Sequence, residues 1–285
     1  ADRLDPKPGA MRVDERLTCL RNLSDCVWFV QPGHRVTQQW HVQPGTALVG
    51  TLVGRDLGGA IIVGVLVGLP AAYLTGTAWF AGLPFHTAEG VIVPRSHISV
   101  FLLENGRPWI KPGSVKRILD LCTGSGCIAI AAAMAFPEAD VDATDIDPLA
   151  LSLAEKNIRQ YKLENRIQLI ASDIYQNLSS EYDLILTNPP YVPSGEISGF
   201  PSEYQHEPAA AFDGGPDGLD LVHKILNEAS SFLSAEGHLI AEVGESWTTL
   251  ENAYPQVAFN WLETGVQNSG LFILGRQELD RHFNS

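Results

Sequence analysis

The tetrapeptide Asn188-Pro189-Pro190-Tyr191 combines residue types that can hold an NH2 group for reaction. The side-chain oxygen of Asn188 and the backbone carbonyl of Pro189 can each accept one hydrogen bond from the same NH2 group, which fixes the nitrogen with its out-of-plane face open. The prolines stiffen the turn, and Tyr191 can pack against the bound group. The motif therefore predicts a site that activates an amino or amide nitrogen by geometry. The alternative is an ordinary turn that ends a strand.

A glycine-rich segment earlier in the chain could bind a second reactant. Its candidate binding residues are Asp120, Cys122, Thr123, Gly124, Ser125 and Gly126. Glycines let a backbone pass close to a ligand, and the N-terminus of a following helix offers N–H groups beside it. The spacing differs from the GxGxxG of dinucleotide-binding enzymes and lacks the Lys-Ser/Thr ending of a P-loop. It therefore indicates a nucleotide-like ligand without a pyrophosphate.

Two further polar positions follow predicted strands. Asp145, with Ile146 beside it, stands at the tip of the second strand, where a carboxylate can accept both hydroxyls of a ribose. Asp173, with Ser172 before it, follows the third strand, where the amino group of an adenine could be met. As alternatives, Asp145 and Asp147 could cap the next helix, and Asp173 could be a surface residue. Together, at successive strand ends of one sheet, these residues predict an adenosine site.

The elements that must position these residues alternate between strand and helix from residue 115 onward, which is typical of a parallel sheet covered on both faces. Strands are predicted at residues 117–121, 140–144, 167–171, 182–187 and 238–243, and helices at residues 126–136, 148–161 and 218–233. Residues 257–263 and 271–275 predict a terminal hairpin. The fold class is therefore α/β, a doubly wound, Rossmann-like sheet that ends in an antiparallel hairpin.

Fewer elements are predicted for the chain before this sheet. Residues 79–85 and 91–93 are typical of two short strands, joined by residues 87–90 into a connecting hairpin. Residues 1–70 keep neither a helical nor a strand period, so no elements are predicted there. We expect an N-terminal domain over residues 1–72, a β-hairpin linker over residues 73–113 and a catalytic domain over residues 114–285.

The acidic balance of the chain restricts its partners. The formal net charge is -14, which argues against sequence-independent binding to DNA or RNA, because such binding depends on Lys and Arg that replace counterions on phosphates. A basic protein fits better, and it would be met before RNA covers it, since the same field repels RNA. The alternative is that the charge only keeps the protein soluble.

Cysteine usage and apolar patterning predict a cytoplasmic protein. Cys19, Cys26, Cys122 and Cys127 form neither a CxxC pair nor a secreted disulfide spacing, which favours a reducing compartment. Cys122 and Cys127 are expected to be small packing residues rather than nucleophiles. No signal-like segment opens the sequence, and the longest apolar run, residues 57–70, is too short and too rich in glycine to span a bilayer.

These motifs together resemble a known family. The glycine-rich turn, the acidic tip at Asp145 and the Asn-Pro-Pro-Tyr tetrapeptide resemble the class I methyltransferases that modify exocyclic amino or amide nitrogens. Over about residues 70–285, further segments resemble the protein-glutamine N5-methyltransferases: Tyr73-Leu74-Thr75, Trp79-Phe80, Pro94-Arg95-Ser96 and Glu203-Tyr204-Gln205-His206-Glu207-Pro208. The resemblance is greater to the branch that modifies the third large-subunit ribosomal protein than to the branch that modifies peptide chain release factors.

The resemblance implies that a methyl group passes from S-adenosyl-L-methionine to a glutamine amide nitrogen, giving N5-methylglutamine and S-adenosyl-L-homocysteine without a metal. It implies cofactor contacts from the strand-end residues and Asn188, with Asp120 meeting the methionine amino group or holding the loop. Glu207 would line the substrate pocket, orient the catalytic turn or form a surface salt bridge. Arg95 would contact substrate, brace the cofactor loop or serve the fold. The substrate would be a basic ribosomal protein not yet assembled with RNA.

Two features depart from the family pattern. Shortly after Pro-Arg the family commonly carries an acidic residue, whereas this chain has Ser99-Val100, so no carboxylate is expected there to touch the cofactor. Family members begin with a small helical domain that helps to hold the protein substrate, and residues 1–70 do not resemble one.

Three other functions would also explain part of these observations. A release-factor glutamine methyltransferase would carry out the same chemistry on another protein. A DNA adenine-N6 methyltransferase uses the same tetrapeptide but must flip its base and grip phosphates, which the acidic balance disfavours. A non-catalytic ribosome-assembly module would keep the fold without the reaction. No pattern in the sequence indicates the oligomeric state.

Overall fold

The computed structural model describes residues 69–283 except residues 112, 267 and 268. The N-terminal domain expected over residues 1–72 therefore lies outside the described residues, apart from its last four positions, and so do Cys19 and Cys26. Within the described part of the chain, no helix is long and apolar enough to cross a membrane.

Strands and helices alternate through the second half of the chain. The strands are β1 (Thr77–Phe80), β2 (Leu83–His86), β3 (Arg117–Leu121), β4 (Asp140–Asp145), β5 (Ile167–Ala171), β6 (Tyr182–Thr187), β7 (Leu233–Glu242), β8 (Asn260–Trp261) and β9 (Leu271–Gly275). The helices are α1 (Ala71–Thr75), α2 (Ile98–Leu103), α3 (Cys127–Ala135), α4 (Pro148–Tyr161), α5 (Asp220–Ala229), α6 (Trp247–Ala253) and α7 (Arg276–Phe283). The order from β3 to β7 is the alternation that the sequence predicts.

Strands β3 to β9 form one seven-stranded sheet in the order β5-β4-β3-β6-β7-β9-β8. The pairs are parallel except β7 with β9 and β9 with β8, which are antiparallel. Buried clusters cover both faces and take alternate residues of the same strands, Ile118 and Leu184 on one face and Leu119 and Ile185 on the other. The doubly wound sheet with a terminal antiparallel hairpin is thereby confirmed.

One strand of the sheet begins earlier than predicted. The helix predicted to residue 233 ends at Ala229, a single 3₁₀ turn follows, and β7 begins at Leu233 instead of His238. The pairing of β7 with β6 shifts register just after Tyr182, where a Cβ added to Gly237 would lie 2.9 Å from the Tyr182 carbonyl oxygen. Because this irregularity interrupts the alternation of side chains, the sequence pattern of the first part of β7 does not indicate a strand.

The connecting hairpin is misplaced in the sequence prediction. β1 and β2 pair antiparallel with Phe80 opposite Leu83, so the turn is Ala81-Gly82 and residues 91–93 form no strand. Both turn residues have positive φ, 48° and 78°, as a two-residue turn of type I′ requires. Alanine rarely takes that conformation, so the prediction was wrong because the usual Asn-Gly or Gly-Gly signal is missing.

Arg166, in the turn before β5, caps the end of α3. Its guanidinium donates to the carbonyl oxygens of Ala133 at 2.8 Å and Phe136 at 2.9 Å, and also to that of Ala139. Carbonyls at a helix C-terminus lack partners within the helix, so a charged donor there stabilises its end. The cap therefore supports the helix that begins directly after the glycine-rich segment.

Replacing Arg166 with alanine should lower the free energy of unfolding by about 2–3 kcal/mol, because three carbonyls lose a charged donor. The matched control is Arg159→Ala, which removes an exposed ion pair with Glu155 inside α4 and should change stability by less than about 0.5 kcal/mol. Urea unfolding followed by circular dichroism measures both variants. Equal effects of the two substitutions would contradict the capping role.

Candidate active site

The residues predicted to do chemistry lie at one edge of the sheet. Leu121, the last residue of β3, pairs with Thr144 of β4 and with Thr187 of β6, while Asp145 pairs with Ala171 of β5. The segments that follow these positions therefore leave the sheet side by side. They contain the glycine-rich turn, both acidic tips and the Asn-Pro-Pro-Tyr tetrapeptide, at the edge where doubly wound sheets bind their ligands.

The glycine-rich segment bends tightly between β3 and α3. Gly126 (φ 79°) is the N-cap of α3, and a Cβ there would lie 3.1 Å from the Cβ of Ala154 in α4. Cys122 takes the left-handed conformation (φ 58°) without being glycine. Such strain persists only where the surrounding structure imposes it, which is common at functional sites. The Thr123 N–H donates to the Thr144 carbonyl at 2.9 Å and ties the segment to β4.

Asp120 holds this segment from below with one of its two oxygens. Its Oδ2 accepts hydrogen bonds from the Thr123 hydroxyl at 2.5 Å and from the Ala129 N–H at 3.0 Å, whereas Oδ1 is buried without a partner. Burial raises the pKa of the Asp120 carboxyl to about 7, against the hydrogen bonds that lower it. The loop-holding role considered from the sequence is thus present, and Oδ1 remains for a ligand.

The two acids after β4 have different roles. Asp147 is the N-cap of α4, since its side chain accepts from the Leu149 N–H at 2.8 Å. Asp145 is not a cap: its Oδ2 accepts from the Gly124 N–H at 2.8 Å and its Oδ1 from the Asp147 N–H at 2.9 Å. Burial raises the pKa of the Asp145 carboxyl. The capping alternative is therefore correct for Asp147 and wrong for Asp145, which faces the glycine-rich turn.

Ser172 and Asp173, in the turn after β5, have different surroundings. Ser172 is buried, and its hydroxyl donates to the Ile174 carbonyl at 2.9 Å and accepts from the Asn177 N–H at 3.1 Å. Asp173 is half-buried and accepts from the Gln176 side chain at 3.2 Å. Ser172 therefore shapes the turn from inside, while the Asp173 carboxylate lies at its rim. Ile146, at the neighbouring tip, is 72% exposed.

Asn188 follows β6 and is held through its amide nitrogen. Nδ2 donates to the backbone carbonyl of Arg95 at 3.1 Å. A carbonyl only accepts hydrogen bonds, so this contact requires nitrogen on that side and leaves Oδ1 on the other. Oδ1 is buried without a hydrogen-bond partner. Among the described residues, only two buried side-chain nitrogen or oxygen atoms have no hydrogen-bond partner, namely Asn188 Oδ1 and Asp120 Oδ1. Both are acceptors, and both lie at the same edge of the sheet.

Arg95 and Glu207 form an ion pair behind this contact, in which the carboxylate is buried and the Arg95 side chain is partly exposed. The Glu207 side chain is fully buried, binds the Arg95 guanidinium and accepts from the Val93 N–H at 2.7 Å. The Arg95 guanidinium also lies 4.7 Å from the centre of the Tyr204 ring. The salt bridge considered for Glu207 is therefore present, with its carboxylate inside the fold and the Arg95 side chain 40% exposed. The pair supports the segment whose carbonyl orients Asn188.

The long segment after the tetrapeptide is folded rather than extended. It contains 3₁₀ turns at Ile197–Gly199, Tyr204–His206 and Ala209–Ala211, and the rings of Phe200, Tyr204 and Phe212 pack together with centroids 5.4–5.9 Å apart. Its backbone returns to the site, since the Val192 N–H donates to the Phe212 carbonyl at 2.8 Å. Burial raises the pKa of the Tyr191 hydroxyl at its start, which keeps the ring uncharged.

Two supporting residues were missed by sequence reasoning. Glu242, the last residue of β7, accepts from the Ser96 hydroxyl at 2.6 Å and from the His97 N–H at 2.8 Å. Asn157 of α4 accepts from the His86 N–H at 2.8 Å and donates to the Ser125 carbonyl at 2.8 Å. Both are polar residues in otherwise apolar buried positions, which is the one signal that could have drawn attention to them.

Neither cysteine near the site has the properties of a nucleophile. Cys122 and Cys127 are unpaired thiols, and burial raises the pKa of Cys127 to about 12 and that of Cys122 as well. A protonated thiol is a weak nucleophile, so the packing role expected for both fits the structure. The described residues contain no group of three His, Cys, Asp or Glu side chains that could hold a metal ion.

Comparison with known proteins relates this geometry to methyl transfer. A family model described as "Methyltransferase small domain" matches residues 99–199, which include Asp120, Asp145 and Asn188. The ribosomal protein uL3 glutamine methyltransferase of Bordetella pertussis is 46% identical over 214 residues, 74% of this chain and 72% of that protein. The protein of the same name from Neisseria gonorrhoeae is 47% identical over 212 residues, 74% of this chain and 71% of its own length.

A solved structure shares the sheet at lower sequence similarity. The T. thermophilus 16S rRNA N2 G1207 methyltransferase in complex with AdoMet and guanosine has a TM-score of 0.50 and 21% identity to this chain. The similarity covers 70% of this chain and 49% of that one. At this identity the likeness shows the fold alone, which is that of a class I methyltransferase.

Asp120 should make stability depend on pH in a defined window. Its pKa is about 7 in the folded state and near 3.8 in an unfolded chain, so between these values the folded state binds the extra proton. Unfolding free energy should therefore fall as pH rises from about 4 to about 7, by about 1.4 kcal/mol per pH unit at most from this group. Asp120→Asn should remove that part of the slope.

Urea unfolding of wild type and Asp120→Asn at pH 5 and pH 8 measures the difference. Asp140→Asn, which removes an exposed carboxylate at the beginning of β4, is the control for loss of a charge. Identical slopes for wild type and Asp120→Asn would show that Asp120 is ionised in the folded state throughout this range.

Proposed function

This chain belongs to the family of ribosomal protein uL3 glutamine methyltransferases, and from that premise we propose that it transfers a methyl group from S-adenosyl-L-methionine to the side-chain amide nitrogen of a glutamine in ribosomal protein uL3. The observation that carries the proposal is the pair of buried, unpartnered acceptor oxygens on Asp120 and Asn188. One would receive the ammonium group of the cofactor, and the other would receive the amide of the substrate.

The residues at the sheet edge fit S-adenosyl-L-methionine, which when bound supplies a methyl group on a positively charged sulfur. Asp145 would accept the ribose hydroxyls, since each of its oxygens accepts one backbone hydrogen bond and keeps a second lone pair. Asp173 would meet the adenine amino group, and the exposed Ile146 side chain would lie against the adenine ring. The remaining cofactor contacts would come from backbone and side chains of Cys122, Thr123, Gly124, Ser125, Gly126 and Ser172.

The catalytic turn would solve a problem of nucleophilicity. A carboxamide nitrogen is a poor nucleophile because its lone pair is delocalised into the carbonyl. Asn188 Oδ1 and the Pro189 carbonyl would each accept one N–H of the glutamine amide and fix its nitrogen with the out-of-plane face toward the methyl group. Pro190 would keep the turn rigid, and Tyr191 would pack against the amide.

The same two acceptors would stabilise the charge that develops during transfer. When bound, the methyl donor would supply the carbon of the new carbon–nitrogen bond and leave as S-adenosyl-L-homocysteine with the electron pair of its carbon–sulfur bond. The glutamine nitrogen would become positive and then release one proton to water. Oriented oxygen dipoles already directed at that nitrogen need no reorganisation, which is where such sites gain most of their rate.

Charge supports a basic protein as the partner. Residues 192–219, which follow the catalytic turn, contain no Lys or Arg. They carry four exposed carboxylates, on Glu196, Glu203, Asp213 and Asp217. This surface would repel nucleic acid and attract a cationic polypeptide, which favours uL3 before its assembly with RNA. An enzyme that modifies a ribosomal protein would act in the cytoplasm. We assign the reaction to residues 114–285, with residues 73–113 as the connection to an N-terminal domain of residues 1–72.

Asn188→Ala should slow methyl transfer to uL3 by about 100-fold or more, because one of two acceptors for the reacting amide is lost. Cofactor affinity should stay within about threefold, since other residues bind it. Transfer of labelled methyl groups and isothermal titration with S-adenosyl-L-methionine measure the two quantities. Asn227→Ala, an exposed position on α5, is the control and should leave both unchanged. Wild-type rates in Asn188→Ala would refute the proposed turn.

The same assay distinguishes the competing functions. Unmodified uL3, a peptide chain release factor and duplex DNA are offered separately to the wild-type protein with labelled cofactor. Label in uL3 alone is the expected result. Label only in the release factor or only in DNA would replace the proposed substrate, and cofactor binding without any transfer would favour a non-catalytic module.

Asp145→Asn should weaken cofactor binding by about 10-fold or more, because a charged acceptor for the ribose hydroxyls becomes a neutral one. Asp147→Asn is the matched control: asparagine caps helices as well as aspartate does, so cofactor affinity should remain within about threefold. Isothermal titration with S-adenosyl-L-methionine measures both. Equal losses in the two variants would argue against a ribose contact by Asp145.

A further inference from the structure

The carbonyl that orients Asn188 lies in a segment without regular structure. Residues 92–96 belong to neither a helix nor a strand, although they are among the described residues. A hydrogen bond to the Arg95 carbonyl can fix the Asn188 side chain only as firmly as this segment is itself held. The geometry of the catalytic turn therefore depends on whatever holds residues 92–97.

Two buried carboxylates hold the segment on either side of Arg95. Glu207 binds the Val93 N–H and the Arg95 guanidinium. Glu242 binds the Ser96 hydroxyl at 2.6 Å, the His97 N–H at 2.8 Å and the His97 Nδ1 at 3.0 Å, and its side chain is 2% exposed. Several donors to one buried carboxylate make a strong and directional contact, because burial removes competing water.

Glu242 is a rigid anchor because it belongs to the sheet. It is the last residue of β7 and pairs with Leu271 of β9, so strands lie on both sides of β7. By contrast, Glu207 lies in the long segment between β6 and α5. Of the two carboxylates, Glu242 thus connects the irregular segment directly to the central sheet.

The residues just beyond Glu242 hold the other end of the catalytic turn. The Ser246 hydroxyl donates to the Tyr191 carbonyl at 2.8 Å. Gly244 has a φ of 48°, and a Cβ there would lie 2.5 Å from Cε2 of the Tyr191 ring, so only glycine lets the ring pack at this position. Residues 242–246 therefore contact Tyr191 directly and Asn188 through Ser96, His97 and the Arg95 carbonyl.

We propose that Glu242 at the end of β7, together with residues 243–246 that follow it, is a template that sets the Asn188 oxygen and the Tyr191 ring at the separation that a glutamine amide needs, with Glu242 as a positioning residue. The inference rests on the proposed function, because it assigns these residues to the same transfer. Glu242 itself touches no reactant. Its removal loosens the acceptor on Asn188 and leaves the cofactor residues of β3, β4 and β5 in place.

Glu242→Gln tests this role, since it removes the negative charge that strengthens the contacts with Ser96 and His97 and replaces one of the two acceptor oxygens with an NH2 group. The turnover of uL3 methylation, counted per cofactor-binding site from the stoichiometry of isothermal titration, should fall by about 10- to 100-fold. The Kd for S-adenosyl-L-methionine should stay within about threefold. Counting per binding site separates misplacement of the turn from partial unfolding, which lowers the number of sites instead.

Asp142→Asn is the matched control, because Asp142 is also a buried carboxylate of the sheet. It binds Arg117 and Tyr182 near the opposite edge, where β3 and β6 begin. It should lower stability and leave turnover per binding site within about twofold. A second variant, Ser96→Ala, removes a single donor to Glu242 and should reduce turnover by about 3- to 10-fold, so the inference can be tested even if Glu242→Gln does not fold.

The outcomes separate this inference from the proposed function. If the wild-type protein methylates uL3 but Glu242→Gln and Ser96→Ala keep wild-type turnover per site, the template role is wrong and the proposed function stands. A loss confined to cofactor affinity would also overturn it, since Glu242 would then act on the other reactant. If the wild-type protein methylates nothing, the proposed function fails first.

Discussion

The hydrogen bond from Nδ2 of Asn188 to the Arg95 carbonyl determines which end of the amide faces the open side of the site. Rotation of the amide by half a turn would place a donor where the proposed reaction needs an acceptor. The surrounding structure makes that rotation costly, because the carbonyl belongs to a segment fixed by Glu207 and Glu242. The loop-borne ion pair, the end of β7 and the tetrapeptide thus form one connected unit.

The unpartnered oxygens of Asp120 and Asn188 favour the binding of particular chemical groups. A buried acceptor without a hydrogen bond costs roughly 1–3 kcal/mol in the unliganded protein. Ligands that supply the missing donors recover that free energy, so the structure favours binding of groups with N–H donors at these two places. An ammonium group and a carboxamide both fit this description, in agreement with the family of uL3 glutamine methyltransferases to which the chain belongs.

The sequence predicts those parts of the molecule whose signals are local. Strands β3 and β6 and helix α4 begin and end at the predicted residues, because buried parallel strands are nearly continuous apolar runs and Pro148 marks the helix start. Strand β5 also has the predicted bounds, although it lies at the edge of the sheet and only Ile167 is buried. The hairpin was misplaced because Ala81 adopts a conformation that alanine rarely takes. β7 was predicted too short because its register with β6 shifts between Leu233 and His238, which interrupts the alternation of its side chains.

The supporting contacts of the site could not be predicted in this way. Glu242 binds a segment 145 residues earlier in the chain, and Glu207 binds Arg95 across 112 residues. Only the folded chain shows that these carboxylates meet the same segment. The sequence does indicate the groups that would meet the reactants, because parallel strands bring their C-terminal ends to a common edge of the sheet. That placement does not depend on the supporting contacts of Glu207 and Glu242.

Asn157 joins the β1–β2 hairpin to the glycine-rich segment with a single side chain, since it binds the His86 backbone and the Ser125 carbonyl at once. Any displacement of the hairpin would therefore strain the backbone of the glycine-rich segment, and any shift of that segment would be felt at the hairpin. One asparagine thereby makes two parts of the fold that are distant in sequence move or stay together.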